Sequence, residues 1–229
     1  MTGIIGAMES EVNAIYAQME NKEIVEYNGI KFYKGSLYGK DVVVIQCGIG
    51  KVNAALCTQL LILKFGVDKV VNTGIAGATG TDLNIYDFVV STETVYHDFD
   101  TQFFGYKLGQ VPGLPETFKA DEKLVESVVS AFNNSKLSSE HKIRTGLIAS
   151  GDQFIAGGEK KNFIVSNFHP LCVEMEGCAV AHTCYKNNVP FVVVRCMSDC
   201  ADDTVQVRYD EAEASALSST MLLSIIKSL

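Results

Sequence analysis

Three acidic residues in largely apolar surroundings are the positions at which this sequence is best equipped for chemistry. Glu11 lies in the first turn of a predicted helix, Glu176 follows a short apolar stretch, and Asp199 ends a longer one. Carboxylates are rarely buried without partners, so acids in such places indicate a demand for hydrogen-bond acceptors or for proton transfer. Cleavage of a glycosidic bond needs one group that activates water and one that protonates the leaving group, and these acids can supply both.

The stretch that ends in Asp199 is the most strand-like part of the chain. Residues 191–202 read Phe-Val-Val-Val-Arg-Cys-Met-Ser-Asp-Cys-Ala-Asp after Pro190, an apolar run rich in β-branched residues that predicts a strand buried on both faces. Ser198 and Asp199 stand where this strand should end, and ligands of open α/β sheets bind at the carboxyl ends of the strands. The alternative interpretation, that Asp199 only caps a loop or helix, stays open from this stretch alone.

A second acidic pair flanks Met175 in the segment Leu-Cys-Val-Glu-Met-Glu-Gly-Cys-Ala. Glu174 and Glu176 are structural acids if Arg195 and backbone N–H groups satisfy both of them. A vicinal diol, as in ribose, also supplies two donors to one carboxylate. We expect one acid of the pair in each role.

Other catalytic and cofactor-binding arrangements are poorly represented. No Ser-His-Asp or Cys-His set stands out, and His97, beside Asp98, is better suited to anchoring a loop than to catalysis. No zinc-binding spacing of Cys and His occurs, and Cys196, Cys200 and His182 make a weak candidate, so we predict no metal. Gly48 and Gly50 indicate a turn. The glycines at 74, 77 and 80 lack the following helix and the acid of a dinucleotide site, although they could bring backbone N–H groups close to a flat ring. Neither cluster has the lysine of a P-loop in the required spacing.

Strands that alternate with helices must position these residues. We predict strands at 3–7, 23–27, 30–37, 41–47, 67–72, 87–95, 142–149 and 171–175 and from Phe191 to its end near Ser198, and helices at 8–20, 51–65, 121–132, 159–167, 177–186 and 209–229. The pattern predicts one α/β domain over residues 1–229, with three layers and a mixed, partly barrel-like central sheet flanked by helices. The loop 96–115 is too long for a plain connection and is therefore a candidate for function.

Composition excludes several classes of protein. The 229 residues are 47% hydrophobic and 20% charged with a formal net charge of −8, which is typical of a protein with a sizeable core and not of one that binds nucleic acid. No apolar run reaches the roughly 18 residues of a membrane span, and the start of the chain lacks a basic region, so we expect no membrane partner and a cytoplasmic location. The seven cysteines lie scattered in apolar segments and are expected to be reduced.

Eight motifs in collinear order resemble one family. They are Gly-Ile-Ile-Gly-Ala-Met-Glu-Ser-Glu-Val at 3–12, Gly-Ile-Gly-Lys-Val at 48–52, Asn-Thr-Gly-Ile-Ala-Gly at 72–77, Tyr-His-Asp at 96–98, Phe-Gly-Tyr at 104–106, Ser-Gly-Asp-Gln-Phe-Ile at 150–155, Val-Glu-Met-Glu-Gly at 173–177 and Val-Val-Arg-Cys-Met-Ser-Asp at 193–199. Together they resemble the 5′-methylthioadenosine/S-adenosylhomocysteine nucleosidases, within the purine nucleoside phosphorylase superfamily. This resemblance implies a homodimer without metal or organic cofactor. It also implies hydrolysis of an adenine thionucleoside to adenine and a thioribose, in methionine salvage.

The resemblance assigns roles to matching residues. Asp199 would protonate adenine N7, Glu11 would orient and deprotonate water, and Glu176 would accept the ribose hydroxyls, with Met175 under the sugar. Phe154 would stack on adenine, and the backbone of Ile155 would bind its edge. Arg195 and Ser198 would support the acids, and Ile49 and Tyr209 would form apolar walls of the pocket. Phe104, Tyr106 and Pro112 would reach into the neighbouring subunit's site. The further substrate-binding residues would be Met8, Ala76, Gly77 and Glu174.

One residue departs from the motif, and several alternatives remain. Ile75 stands where many relatives carry Ser near the catalytic Asp, so Asp199 would depend on backbone N–H groups or on Ser198 for orientation. A phosphate-dependent purine nucleoside phosphorylase is disfavoured because Glu9 and Glu11 would repel phosphate. A non-catalytic nucleoside-binding module is disfavoured by the three acids. Methylthioadenosine, S-adenosylhomocysteine, 5′-deoxyadenosine and aminofutalosine cannot be ranked as substrates from the sequence.

Overall fold

Short stretches rich in Val and Ile form a ten-stranded sheet, and amphipathic or apolar stretches between them form the helices. The computed structural model describes residues 1–80, 82–200 and 210–229. The strands are β1 (Thr2–Gly6), β2 (Glu20–Tyr27), β3 (Ile30–Leu37), β4 (Lys40–Gln46), β5 (Lys69–Ala78), β6 (Phe88–Tyr96), β7 (Phe118–Lys119), β8 (Ile143–Ser150), β9 (Cys172–Glu174) and β10 (Phe191–Asp199). The helices are α1 (Glu9–Gln18), α2 (Lys51–Phe65), α3 (Glu122–Asn133), α4 (Gly158–Phe168), α5 (Gly177–Asn187) and α6 (Glu211–Ser228).

Five of the strands close into a ring. β5 pairs in parallel with β10, β10 runs antiparallel to β6, β6 pairs in parallel with β8 and β8 with β9, and β9 returns antiparallel to β5. On its other side β5 pairs with β1, which continues through β4 into the antiparallel meander β4–β3–β2. The predicted mixed, partly barrel-like sheet is therefore confirmed as a closed barrel with an extension.

Helices cover both faces of the sheet and make the predicted three layers. α2 and α5 pack on one face, where Leu61 and Cys184 belong to the same apolar cluster as Val70 of β5. α1, α3 and α6 pack on the other face, where Ile15 and Leu222 join a second cluster. All nine residues of β10 are buried between the layers, as its continuous apolar sequence predicts. Within the described ranges, no helix is both long and apolar enough to cross a membrane.

The main correction concerns β5. We predict a strand that stops at Asn72, but β5 continues through Ala78, and the segment Thr73–Gly77 is part of the sheet. Closure of the barrel explains this difference, because Gly77 and Ala78 pair with β9 while residues up to Gly77 pair with β10. The short strand β7 and two 3₁₀ turns at Gln102–Phe104 and Lys136–Ser139 are not predicted either.

Candidate active site

An open cleft with a cavity volume of about 120 Å³ lies where β1, β5, β9 and β10 end. Eleven residues selected from the sequence line it: Met8, Glu11, Ile49, Ala76, Gly77, Phe154, Glu174, Met175, Glu176, Ser198 and Asp199. The other lining residues are Ala7, Ile75 and Val173. Parallel pairing of β1, β5 and β10 explains the convergence, since it brings the carboxyl ends of these strands to one edge.

Glu11 is fixed by backbone groups from two elements. Its Oε2 accepts hydrogen bonds from the N–H groups of Ala7 (2.7 Å) and Met8 (3.0 Å), and its Oε1 accepts one from Ile75 of β5 (3.0 Å). Burial raises the pKa of Glu11 above its ordinary value, and the charge of Arg195 and these N–H groups offset only part of the rise. A carboxyl group that is held as an acceptor and has a raised pKa is suited to take a proton.

Glu174 is a structural acid. Its Oε2 accepts hydrogen bonds from the N–H groups of Glu176 (3.0 Å) and Gly177 (2.7 Å) and from Nη2 of Arg195, and its Oε1 accepts one from the hydroxyl of Ser150. Burial would raise the pKa of Glu174, but Arg195, Ser150 and the two backbone groups together hold it below its ordinary value. An ionised carboxylate with this many protein donors has little capacity left for a ligand.

Glu176 accepts fewer hydrogen bonds from the protein than Glu174 does. Its Oε1 accepts one hydrogen bond, from the N–H of Gly50 at 2.8 Å, and its Oε2 lies 3.7 Å from Nη2 of Arg195. Burial and the neighbouring carboxylate of Glu174 raise the pKa of Glu176 to about 7, against the lowering effect of Arg195. Its remaining lone pairs can accept hydrogen bonds from a ligand in the cleft, so Glu174 is saturated by protein donors and Glu176 is available.

Asp199 ends β10 at an irregularity in the sheet. Met197 pairs with Ala76 and Asp199 with Gly77, so Ser198 is the extra residue of a bulge, a feature that re-aims side chains. Both Ser198 and Asp199 line the cleft. The hydroxyl of Ser198 donates to Oδ2 of Asp199 at 2.9 Å and lies 3.3 Å from the carbonyl oxygen of Ala76. Ser198 thus provides one of the two supports that the sequence predicts for Asp199 when Ile75 replaces a hydroxyl residue.

Apolar side chains form the rim of the cleft. Phe154, in the loop after β8, and Ile49, before α2, are more than half exposed although both line the cleft. An exposed aromatic face beside a carboxylate favours a flat ring with polar edges. Ile155 is buried with Val173 and Ile164 and does not line the cleft. Its predicted role, binding the edge of the base, would therefore fall to its backbone.

Arg195 lies behind the acids. We predict it among the substrate-binding and supporting residues, but it is 1% exposed and is not one of the described residues that line the cleft. Its Nη2 also donates to Oδ1 of Asn72 at 2.8 Å, and the amide of Asn72 donates to the carbonyl of Ile5 at 2.9 Å. Arg195 is therefore bonded to Glu174 and Asn72 behind the cleft, an arrangement that fits the predicted supporting role.

Gly74 is needed for this arrangement and is not among our predicted site residues. A Cβ atom at Gly74 would lie 2.1 Å from Nη1 of Arg195 and 2.5 Å from Oε1 of Glu11. Because Gly74 has no side chain, the guanidinium of Arg195 and the carboxylate of Glu11 can both approach the backbone of β5. The signal available in the sequence is Gly inside an otherwise β-branched strand, which indicates a close approach.

Three of the remaining predicted residues belong to a loop that does not line this cleft. Phe104, Tyr106 and Pro112 belong to the loop that follows β6 and do not line the cleft of their own chain, and Phe104 is largely exposed. Tyr209 lies outside the described residues. Within the described part of the chain, no three His, Cys, Asp or Glu side chains are placed to hold a metal ion.

Comparisons with known proteins agree over the whole length. A model of the phosphorylase superfamily matches residues 2–227. The 5′-methylthioadenosine/S-adenosylhomocysteine nucleosidase of Staphylococcus saprophyticus is 42% identical over 225 residues, which cover 97% of each chain. The structure of the Neisseria meningitidis nucleosidase of the same name, in complex with methylthio-immucillin-A, superimposes with a TM-score of 0.95 at 40% identity, over 100% of this chain and 99% of the other.

Two further solved structures are similar to this chain. The nucleosidase of Colwellia psychrerythraea in complex with adenine has a TM-score of 0.94 and 41% identity, over 100% of this chain and 95% of that one. A futalosine hydrolase of Helicobacter pylori has a TM-score of 0.92 and 35% identity, over 100% and 97% of the two chains.

Proposed function

Since the chain belongs to the phosphorylase superfamily and, within it, to the 5′-methylthioadenosine/S-adenosylhomocysteine nucleosidases, we propose that its cleft cleaves the N-glycosidic bond of these two nucleosides. The enzyme is a hydrolase, and its products are adenine and the corresponding thioribose. The observation that carries this proposal is the convergence of Glu11, Glu176 and Asp199 on one cleft.

The leaving base needs a proton. Cleavage of the bond develops negative charge on the purine, and Asp199 at the end of β10 is placed to donate a proton to the ring nitrogen N7. Ser198 orients the carboxyl group through its hydrogen bond to Oδ2. Positioned proton transfer of this kind contributes about 10²–10⁴-fold to the rate.

The sugar needs a nucleophile and negative charge nearby. Glu11 takes a proton from the attacking water, and its fixed hydrogen bonds keep both oxygens in place during the step. Glu176 accepts hydrogen bonds from the ribose hydroxyls, and its ionised form, which is populated as the pH rises through about 7, stabilises the positive charge that develops on the sugar. Carboxyl groups of the chain carry out both proton transfers, since Asp199 donates one proton and Glu11 accepts the other. We therefore propose no metal or organic cofactor in the reaction.

The apolar rim suits the rest of the substrate. Phe154 stacks on the adenine ring, and Met8, Ile49 and Met175 contact the sugar and its alkylthio group. The exposed apolar residues Val52, Leu56 and Leu63 of α2 and Phe103 and Phe104 of the loop after β6 support a homodimer, since such side chains are enriched at interfaces. In that dimer Phe104, Tyr106 and Pro112 cover the partner's cleft.

The cell location and pathway follow from the same proposal. The free cysteines of the described ranges are mostly buried thiols, as in proteins of reducing compartments. We therefore place the enzyme in the cytoplasm, in the recycling of by-products of S-adenosylmethionine and the salvage of methionine. The likeness to a futalosine hydrolase favours aminofutalosine as a second candidate substrate.

Adenine release in the presence and absence of phosphate tests the proposed function. Methylthioadenosine, S-adenosylhomocysteine, 5′-deoxyadenosine and aminofutalosine are offered separately in phosphate-free buffer containing ¹⁸O-labelled water. We expect adenine from the first two and one labelled oxygen in the free sugar. A requirement for phosphate together with a sugar phosphate product would indicate a phosphorylase, and binding without turnover of any compound would indicate a nucleoside-binding module.

A further inference from the structure

Three charged residues outside the cleft join three separate segments of the chain. Lys51 is the first residue of α2, Asp98 follows β6, and Asp152 lies in the loop after β8. Nζ of Lys51 donates to both oxygens of Asp98, at 2.6 and 2.7 Å. The N–H of Lys51 donates to Oδ1 of Asp152 at 2.8 Å, and the N–H of Asp152 donates to Oδ2 of Asp98 at 2.8 Å. Each of the three residues is therefore bonded to the other two.

One side of this triad holds the loop that carries Phe154. Nζ of Lys51 also lies 3.7 Å from Oδ2 of Asp152, only two residues before Phe154. The start of the loop is packed too closely for a side chain, because a Cβ atom at Gly151 would lie 2.3 Å from Cε1 of His97 and 2.9 Å from Cγ of Asp98. The loop is thus attached to the segment after β6 by packing and by the triad.

The other side of the triad reaches the sugar half of the cleft. Gly50 precedes Lys51, and its N–H donates to Oε1 of Glu176. Ile49, one residue earlier, lines the cleft. A Cβ atom at Gly50 would lie 3.1 Å from Oδ1 of Asp152, so this backbone and the loop are in close contact. The start of α2 therefore touches both the loop of Phe154 and the acid Glu176.

The ion pair between Lys51 and Asp98 is shielded enough from solvent to stabilise the attachment of the loop. The side chains of Lys51 and Asp98 are 22% and 11% exposed, in contrast to exposed pairs, which stabilise little. Hydrogen bonds between ionised groups are stronger than neutral ones. Burial acts to raise the pKa of Asp98, but Lys51 and the N–H of Asp152 lower it below its ordinary value, which agrees with a stable ionised partner.

We propose that Lys51, Asp98 and Asp152 are positioning residues that hold the loop of Phe154 over the nucleobase half of the cleft and in register with Glu176. None of them lines the cleft in the described part of the chain. They act through Phe154 and Gly50. The identification of the ligand as adenine rests on the proposed function, whereas the coupling of the loop to α2 does not.

Lys51→Met is the direct test, with Lys51→Arg as the conservative variant and Arg144→Met as the matched control. Arg144 pairs with Asp82 through 2.6 and 2.7 Å contacts that also join distant segments, but this pair lies outside the cleft. Calorimetric titration with adenine should give a Kd at least about tenfold higher for Lys51→Met, because charge-assisted hydrogen bonds are lost. KM for methylthioadenosine should rise in parallel while kcat changes less than about threefold. We expect recovery by Lys51→Arg and no change in Arg144→Met.

Hydrogen exchange separates positioning from simple stability. Amides of residues 151–157 should exchange faster in Lys51→Met, and amides of β10 should not. A lower Tm with unchanged adenine affinity and unchanged exchange of the loop would overturn the proposal. Asp152→Ala, at a half-exposed side chain, keeps the test decisive if Lys51→Met fails to fold. A wild-type protein that binds adenine but hydrolyses no nucleoside would refute the proposed function and still allow the affinities to be compared.

Discussion

Oε1 of Glu11 accepts a hydrogen bond from the backbone N–H of Ile75 at 3.0 Å, which joins the acid of α1 to the barrel strand β5. Its other oxygen accepts from Ala7 and Met8. All three backbone groups are hydrogen-bond donors, so both carboxyl oxygens of Glu11 must act as hydrogen-bond acceptors. The position of Glu11 is therefore set by the main chain of two elements, and no mobile side chain is needed to orient it.

Glu11→Gln should lower kcat for adenine release by about 10²–10⁴-fold. The amide cannot take a proton from water, and its NH₂ group must face one of the backbone N–H donors. Initial rates with methylthioadenosine and the Tm measure catalysis and folding separately. Glu9→Gln, at an exposed position of the same helical turn, should keep normal activity. A rate for Glu11→Gln within about threefold of the wild type would refute its role as the base.

Asp199→Asn should also lower kcat by about 10²–10⁴-fold, with a much smaller change in KM. Asparagine keeps the shape of the side chain and a hydrogen bond to the purine, but it has no proton of suitable acidity to give. Single-turnover experiments with saturating enzyme separate binding from cleavage. Substrate that binds normally and is cleaved at the wild-type rate would show that another group protonates the base.

Glu176→Gln should weaken both sugar binding and catalysis. The test compares the wild type and the variant, each with the normal substrate and with an analogue that lacks the 2′-hydroxyl group, in the manner of a double-mutant cycle. Removal of the hydroxyl should lower kcat/KM strongly in the wild type and much less in the variant, because the variant has already lost the charged acceptor. Equal losses in both proteins would mean that the carboxylate does not contact the ribose.

The raised pKa of Glu176 predicts a pH dependence of stability. The folded protein keeps a proton on this carboxyl group up to about pH 7, whereas the unfolded chain releases it near its ordinary value of 4.5. This contribution to the free energy of unfolding is therefore present below about pH 4.5 and is lost as the pH rises through about 7. Urea unfolding from pH 5 to 8 should show the wild type losing stability relative to Glu176→Gln. A difference between the two proteins that is constant with pH would contradict the assignment.

Gly74→Ala should destabilise the protein and damage its activity together. The new Cβ atom overlaps Nη1 of Arg195 and Oε1 of Glu11, so a buried ion network must shift. Overpacking of this kind costs about 1–3 kcal/mol, or roughly 2–10 °C in Tm for a chain of this length. Gly80→Ala, where a Cβ atom would meet its nearest neighbour at 3.4 Å, is the control. An unchanged Tm for Gly74→Ala would show that the close contact is not required.

The residue pattern predicts the sheet better than it predicts the inside of the site. β-branched runs such as 191–194 identify buried strands because such side chains fit a pleated, two-sided core. The extension of β5 through small residues is invisible to that pattern, since Thr73–Gly77 is held as strand by its pairing with β10 and β9. Glu174 and Glu176 have similar surroundings in sequence. The positions of Ser150 and Arg195, together with two backbone N–H groups, decide which carboxylate is saturated.

A crystal structure with a non-hydrolysable analogue of methylthioadenosine tests the convergence of the three acids most directly. We predict a carboxyl oxygen of Asp199 within hydrogen-bonding distance of the purine nitrogen at position 7, about 2.6–3.2 Å. Glu176 should contact both ribose hydroxyls, and Glu11 should hold a water molecule on the face of the sugar opposite the base. An analogue bound with its base away from Asp199, or with its sugar out of reach of Glu11 and Glu176, would contradict the account.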